Sequence, residues 1–258
     1  MISEAEEKFC AGVAGVPFSV TGPETAYLRT FLADYLSAEE PELSIVLTEG
    51  NIQAEEEKFR TEEPQAAETM SSEQLRQLAA AAALHRGLSE ALIAGNVLLM
   101  HGSALEVDGE AFIFTAPSGT GKSTHARMWR QRFGGRVRMI NDDKPFLRFE
   151  TGRILVCGSP WSGKHRLDRP VMLPLKAVAF LERGPENRIE PLPPGEALTR
   201  LLRQVYLPAS PEKLMRVLEF ADRMSQEAAM YRLECLPDEA AAQLAYEVMS
   251  GQASAERK

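Results

Sequence analysis

The stretch that decides the fold is Ala116-Pro117-Ser118-Gly119-Thr120-Gly121-Lys122-Ser123-Thr124. It follows the apolar run AFIFTAP and leads into a segment of helical character that ends near Phe133. A strand, a glycine turn that ends in Gly-Lys-Ser and a helix, in this order, are typical of a phosphate-binding loop. Glycines let successive backbone N–H groups point at phosphate oxygens, and the helix N-terminus adds the positive end of its dipole. The stretch therefore predicts a site for the phosphates of a nucleotide.

The side chains of this loop have separate predicted tasks. Lys122 would meet the β- and γ-phosphates, and the hydroxyl of Ser123 would bind Mg²⁺, which takes few protein ligands besides phosphate oxygens. Ala116 stands where the general pattern has its first glycine, and a purely structural glycine turn is the alternative. The residues predicted to contact the nucleotide are Ser118, Gly119, Thr120, Gly121, Lys122, Ser123 and Thr124.

A pair of aspartates, Asp142 and Asp143, follows the apolar run VRMI about 20 residues beyond Lys122. Adjacent side chains on an extended segment point to opposite faces, so the two carboxylates should differ in task. One would hold Mg²⁺, directly or through water, and the other would accept the proton of an incoming hydroxyl. We predict both as catalytic residues, with Asp142 joining Ser123 at the metal. The alternative is a surface turn rich in Asn and Asp.

Two further features border these motifs. His101, in the run LLMHGSAL, could orient a carboxylate or share its proton, although a histidine of purely structural role is the alternative. The stretch GSPWSGKHR follows a predicted strand and contains Lys164 and Arg166. These two cations are candidates for contact with the transferring phosphate or with the acceptor. The alternative is a surface loop without a functional role. We predict structural roles for His85 and His125.

Residues 1–95 predict a smaller α/β region or, alternatively, an extension of the sheet of residues 96–258. PFSVTG and LSIVLTEG are apolar runs closed by glycine, which indicates strands, and the segment between them has helical spacing. The acidic, proline-broken segment NIQAEEEKFRTEEPQAAETM predicts a solvated loop or mobile flap, or alternatively a surface for a basic substrate. A long helix is predicted from Ser71 or Ser72 to about Ala94.

Residues 96–258 predict a mixed, twisted sheet around the glycine loop. VLLMHGSALEV and AFIFTAP read as two strands joined by Asp108-Gly109, a strong hairpin signal. VRMIN, KPFLRFE, RILVCG and LKAVAFLERG add further strands. The last third is predicted to be mainly helical, with YRLECL as a strand within it.

Composition excludes several classes of protein. The chain has 258 residues, 44% of them hydrophobic and 26% charged, as in a folded globular protein. Its formal charge of -8 argues against a general nucleic-acid binder, and three widely separated cysteines form neither a disulfide framework nor a paired-cysteine metal site. The start MISEAEEKFCAG lacks the order of a secretion signal, and no run approaches the roughly 20 apolar residues that span a bilayer. We therefore predict a cytoplasmic protein.

The motifs taken together resemble the catalytic domain of HPr kinase/phosphorylase, which is itself similar to the nucleotide-binding core of phosphoenolpyruvate carboxykinase. The residues that carry this resemblance are His101-Gly102, Ser118 to Ser123 and Asp142-Asp143, in that order. The resemblance implies an α/β core, ATP and Mg²⁺ as cofactors, and a catalytic cluster of His101 with the two aspartates. The glycine-rich segment associated with phosphorylase activity has no counterpart after the aspartates.

The longer pattern, from HGSALEV to GSPWSGKHRL, looks like that of HPr-kinase-related proteins found beside peptide-biosynthesis genes. Some of these phosphorylate a serine of a lasso-peptide precursor, which implies a serine kinase acting on a peptide or small protein. Two alternatives remain open at this point. One is a small-molecule kinase on the same core, and the other is a nucleotide-gated binding protein that transfers no phosphate.

Overall fold

The chain divides into two compact units, residues 1–95 and residues 96–258. The structure is a computed structural model, and it describes residues 8–163 and 165–251. Within this described part, no helix is both long enough and apolar enough to cross a membrane.

The first unit builds a small sheet from three strands in its described residues 8–95. β1 (Phe9–Val13) pairs antiparallel with β2 (Val16–Thr21), and β2 pairs parallel with β3 (Leu43–Val46). The helices are α1 (Thr25–Phe31), α2 (Glu49–Glu62), α3 (Pro64–Glu68) and α4 (Ser72–Leu92), with short 3-10 turns at Ala33–Tyr35 and Ile93–Gly95. The strand β1 was not among the predicted strands, whereas β2, β3 and the long helix α4 were.

The acidic segment was wrongly predicted as a loop, because the structure places it in α2 and α3. Thr48 and Asn51 form a capping box, in which each side chain accepts from the backbone N–H of the other. The buried side chain of Ile52 anchors α2, and Glu55 pairs with Arg86 of α4. Pro64 stands in the first turn of α3, where its missing N–H costs nothing. The acidic side chains are thus the solvated face of an anchored helix.

The second unit carries a mixed sheet of nine strands within its described residues. The strands are β4 (Val97–Leu99), β5 (Ser103–Val107), β6 (Glu110–Thr115), β7 (Val137–Asn141), β8 (Phe146–Glu150), β9 (Arg153–Cys157), β10 (Met172–Arg183), β11 (Arg188–Pro191) and β12 (Ala229–Cys235). They run in the order β4-β8-β9-β10-β6-β5-β7, and β12 pairs with the later part of β10 and with β11. The strands β6, β10 and β12 are parallel to one another, so their carboxyl ends meet at one edge. The chain is therefore a mixed α/β protein.

The predicted strand VLLMHGSALEV is interrupted in the structure. Between β4 and β5, the backbone N–H groups of Met100 and Gly102 donate to the segment 143–145, whereas that of His101 donates to Gln204. A Cβ at position 102 would also lie 3.1 Å from the backbone oxygen of Phe114, so the segment passes close to β6. The turn Asp108-Gly109 has φ of 51° and 83°, which agrees with the predicted hairpin. The short strand β11 was not predicted.

Helices cover the sheet and position its glycine loop. α5 (Lys122–Phe133) and α8 (Glu239–Met249) pack on it through a core centred on the fully buried Trp129. Its indole lies between Phe112 and Tyr246, at ring-centroid distances of 5.4 and 5.8 Å. α6 (Pro194–Leu201) packs against α7 (Pro211–Glu227) in the predicted helical third. Because α5 is anchored along its length, its first turn is held at the end of β6.

Candidate active site

The glycine loop joins the end of β6 to the start of α5. It covers residues 116–121, and Lys122 is the first helical residue. Gly119 and Gly121 have φ of 76° and 126°, a region that strains any residue with a Cβ. These two glycines let the chain turn from the strand directly into the helix. The first N–H groups of α5, like those of any helix, have no partner within the helix.

The side chain of Lys122 lies buried at the base of this loop. Its Nζ donates to the carbonyl oxygen of Ala116 at 2.9 Å. Burial lowers the pKa of Lys122; the charge of Asp143 opposes this shift, that of Lys144 adds to it, and that of Asp142 opposes it. Asp142 also borders the same cleft as Ser123 and Thr124 of α5, so the predicted aspartate pair lies beside the loop.

An arginine that the sequence did not single out fixes the outer side of the loop. Arg183, the last residue of β10, donates from its guanidinium to the carbonyl oxygens of Gly119 at 2.6 Å and Thr120 at 3.4 Å. A charged residue at a strand end is common, so the sequence alone gives no signal for this contact. It becomes evident only once β10 is known to pair with β6.

Asp142 lies on the α5 side of the site. Its side chain is almost fully buried, and its Oδ1 accepts from the hydroxyl of Ser103 at 2.8 Å. Asp142, Ser123 and Thr124 line one cleft of about 510 Å³. The two predicted metal ligands, Ser123 and Asp142, therefore border the same space.

Asp143 forms a pair with His101, as their predicted cooperation requires. The Nε2 of His101 lies 3.3 Å from Oδ1 of Asp143, and the Nζ of Lys144 lies 4.0 Å from Oδ2. Burial raises the pKa of Asp143, but the hydrogen bond from His101 and the charges of Lys144, His101 and Lys122 together hold it below its usual value. The carboxylate thus stays ionised at neutral pH and is oriented by a ring nitrogen.

Asn141, at the end of β7, holds the aspartate pair in place. Its Oδ1 accepts from the backbone N–H groups of Asp143 at 2.8 Å and Lys144 at 2.6 Å. Its Nδ2 donates to the carbonyl oxygens of Ser159 at 2.8 Å and Trp161 at 3.3 Å. The side chain is fully buried, and one amide therefore ties two loops together.

The loop after β9 lies against this pair. A Cβ at Gly158 would lie 1.8 Å from the carbonyl oxygen of Arg169, so only glycine fits there. A Cβ at Gly163 would be in ordinary contact, at 3.5 Å, with that of Asp143. Lys164 lies outside the described residues. Arg166 lies on an exposed turn at φ 47°, and it is the neighbouring His165 that lines the cleft with Asp142.

His125 has a structural position. Its ring packs on Phe114 with centroids 4.6 Å apart, and its Nε2 accepts from the indole N–H of Trp129 at 3.0 Å. Burial lowers the pKa of His125 to about 4, while the charge of Asp238 opposes the shift weakly.

The free energy of unfolding should therefore fall as the pH drops below about 6.5, the value of an unfolded histidine, towards about 4. In this range the unfolded chain binds a proton that the folded chain excludes, at a slope of up to about 1.4 kcal/mol per pH unit. Urea unfolding at several pH values would measure this slope for the wild type and for His125→Gln, whose amide can still accept from Trp129. Equal slopes in the two proteins would contradict the assignment.

The described residues contain no group of three or more His, Cys, Asp or Glu side chains that could hold a metal ion by itself. A hard cation at Ser123 and Asp142 would need further oxygen ligands, such as those of a polyphosphate. Four features thus meet at one end of the sheet: a glycine turn at a helix N-terminus, a buried lysine, the oxygen-bearing side chains of Ser123 and Asp142, and an ionised carboxylate paired with histidine. This arrangement can bind a polyphosphate and remove a proton from a hydroxyl beside it.

Comparison with known proteins identifies the family. The chain is similar to the Hpr(Ser) kinase/phosphatase from Coxiella burnetii, with 10% identity over 61% of this chain and 98% of that chain and a TM-score of 0.35, a similarity too low to assign an activity. A search of curated proteins found no match. The model of the family described as SynChlorMet cassette protein ScmC matches residues 66–236. Because this match spans well over half of the sequence, the chain belongs to the ScmC family of SynChlorMet cassette proteins.

Proposed function

We propose that the protein is an ATP- and Mg²⁺-dependent phosphotransferase that transfers the γ-phosphoryl group to a serine hydroxyl of a peptide or small protein. The observation that carries this proposal is the His101–Asp143 pair, which adjoins Asp142, a residue that borders the same cleft as Ser123 at the start of α5. A base and a phosphate-binding lysine are then on the same side of one site.

The loop would bind the triphosphate of ATP. Backbone N–H groups at the start of α5 can donate to phosphate oxygens, and the glycines at 119 and 121 leave no side chain in the way. The ammonium of Lys122 would exchange the carbonyl oxygen of Ala116 for phosphate oxygens. Anionic phosphates would stabilise the charged form of Lys122, which burial disfavours.

Ser123 and Asp142 are the residues that would hold Mg²⁺. Both residues border one cleft, and their hydroxyl and carboxylate oxygens are hard ligands of the kind that Mg²⁺ accepts. When bound, the ion neutralises charge on the phosphates. The hydrogen bond from Ser103 fixes the orientation of the Asp142 carboxylate.

Asp143 is the proposed base. The serine oxygen attacks the γ-phosphorus, the bond from this phosphorus to the β–γ bridging oxygen breaks, and ADP leaves. The serine proton passes to the Asp143 carboxylate, which His101 orients through Nε2. Positioning and charge stabilisation supply most of the acceleration in such reactions, and the site offers both.

The peptide acceptor rests on the resemblance to HPr-kinase-related proteins beside peptide-biosynthesis genes. A ribosomal precursor peptide of the lasso type is accordingly our first acceptor. Lys164 and Arg166 would contact this acceptor or the transferring phosphate. A small hydroxyl metabolite is the second acceptor class, and it would use the same base.

Intact-mass spectrometry tests the proposal directly. The protein is incubated with Mg²⁺-ATP and either a precursor peptide ending in serine, HPr, or a panel of hydroxyl metabolites, with an acceptor-free sample that measures ATP hydrolysis. We expect a gain of one phosphate on the peptide. A phosphorylated metabolite alone would reassign the acceptor, and bound ATP without any phosphorylated product would replace the kinase by a nucleotide-gated binding protein.

His101 should matter through the orientation of Asp143. We expect His101→Ala to lower the rate of phosphoryl transfer by roughly tenfold to a hundredfold, the usual cost of removing an orienting partner, at unchanged ATP affinity. His101→Gln, which keeps an N–H donor, should recover part of the rate. Transfer rates that do not differ among the wild type and the two variants would remove the histidine from the mechanism.

A further inference from the structure

Two cavities border the glycine loop, and Arg183 lines both of them. The smaller one, of about 420 Å³, lies between the first turn of α5 and the segments that follow β10 and β12. The larger one, of about 800 Å³, lies between the loop, the end of β10 and α6. Both volumes fall in the range of small-molecule sites, roughly 300–1,000 Å³.

We propose that the smaller cavity, the nucleoside pocket, binds the base and ribose of ATP. Thr124, Gly184, Cys235, Leu236 and Pro237 are among the residues that line it. This inference rests on the proposed function, because it concerns the nucleoside attached to the triphosphate on the loop.

The direction of the phosphate chain selects this pocket. Transfer to an acceptor requires the γ-phosphate near His101 and Asp143, so the nucleoside must leave the loop at the other end. The larger cavity is next to the catalytic pair, because its lining residues Thr115 and Gln204 bond to the carbonyl oxygen and the N–H of His101, both at 2.7 Å. The nucleoside pocket instead contains Thr124, in the first turn of α5 beyond Lys122.

The sheet topology agrees with this placement. The pocket lies beyond the carboxyl ends of three neighbouring parallel strands, β6, β10 and β12, where open α/β sheets bind their ligands. Gly121 and Gly184, which follow β6 and β10, add no side chain to the space.

The outer wall of the pocket is held in place before any ligand binds. The Oδ1 of Asn187 accepts from the backbone N–H of Leu236 at 2.8 Å, and its Nδ2 donates to Asp238 at 3.0 Å. The same Asp238 oxygen accepts from the N–H of Ala241 and so caps α8. The segment that carries Leu236 and Pro237 is therefore tied both to the turn after β10 and to a helix.

The chemistry of the walls suits a nucleoside. Leu236 and Pro237 offer apolar surface to a base, and the Leu236 side chain is partly exposed. Arg183 adds a planar guanidinium, which stacks well on aromatic rings and is already fixed by the loop carbonyls. Arg183 would then both contact the base and hold the glycine loop in position.

Binding assays with two ligands test the pocket on the full chain. ATP and inorganic tripolyphosphate share the phosphate chain, and only ATP carries the nucleoside, so wild-type protein should bind ATP more tightly. We expect Leu236→Ala to weaken ATP binding by roughly fivefold to tenfold through lost apolar contact and to leave tripolyphosphate binding unchanged. Thr199→Trp, which fills the larger cavity from an exposed position of α6, is the matched control and should leave both affinities unchanged.

Photolabelling locates the base independently. An azido-adenine analogue of ATP should attach to the peptide that contains residues 235–237. Attachment to residues 196–204 would place the nucleoside in the larger cavity and overturn the inference. The same holds if Thr199→Trp loses ATP binding while Leu236→Ala keeps the wild-type affinity. Equal wild-type affinities for ATP and tripolyphosphate would also overturn it while the phosphate site stands. If neither ligand binds, the proposed function itself fails.

Discussion

Asp143→Asn should lower the rate of phosphoryl transfer by about 10³-fold, within the range of roughly 10² to 10⁴ that a general base contributes. The amide is close in size to the carboxylate and can still accept the hydrogen bond that His101 donates to Oδ1 at 3.3 Å. It cannot take the proton of a serine hydroxyl. Because Asp143 acts on the hydroxyl rather than on the nucleoside, ATP affinity should change by no more than about twofold.

The measurement is single-turnover transfer to the peptide, together with ATP binding by calorimetry. Asp108→Asn is the matched control, because Asp108 is an exposed aspartate paired with Arg136 in the hairpin turn between β5 and β6. This control should keep the wild-type rate. A rate within threefold or so of wild type for Asp143→Asn would show that Asp143 is not the base, since a lost base costs far more.

Local patterns were enough to predict the elements that carry the site. The glycine turn, α5, the Asp108-Gly109 hairpin and the strand before Asp142 agree with the predictions, because each depends on neighbours a few residues apart. The place of each motif relative to the others depends on strand order. That Lys122 and Asp143 approach each other follows from the pairing of β5 with both β6 and β7.

Residues that act through long-range contacts escaped prediction for the same reason. Arg183 reads as an ordinary charge at a strand end until β10 is placed beside β6. Gly158 reads as a turn glycine until the carbonyl of Arg169 approaches the space of its missing Cβ. The acidic segment was mistaken for a loop because charge and proline dominate its composition, while its helix depends on one cap and one buried isoleucine.

Asn141→Ala should both lower the free energy of unfolding and slow phosphoryl transfer. The side chain is fully buried, and its removal leaves the backbone N–H groups of Asp143 and Lys144 without their acceptor. Each such loss costs about 1–3 kcal/mol, so the free energy of unfolding should fall by about 3 kcal/mol or more. The donors to Ser159 and Trp161 are lost as well, which frees the loop that packs against Asp143.

Urea unfolding and transfer rates, both measured at a temperature where the variant is folded, separate the two effects. The carboxylate of Asp143 would no longer be held at the loop, and misplacement of a catalytic group slows a reaction. The folded variant should therefore transfer phosphate at least about tenfold more slowly than the wild type. Asn51→Ala removes the exposed side-chain oxygen that accepts from the backbone N–H of Thr48 in the capping box of α2, in the other unit, and as the matched control it should cost only about 1 kcal/mol and leave the rate unchanged. A folded Asn141→Ala protein with the wild-type rate would show that the aspartate pair keeps its place without this amide, and its position would then have to come from β7 and the hydrogen bond of Ser103 alone.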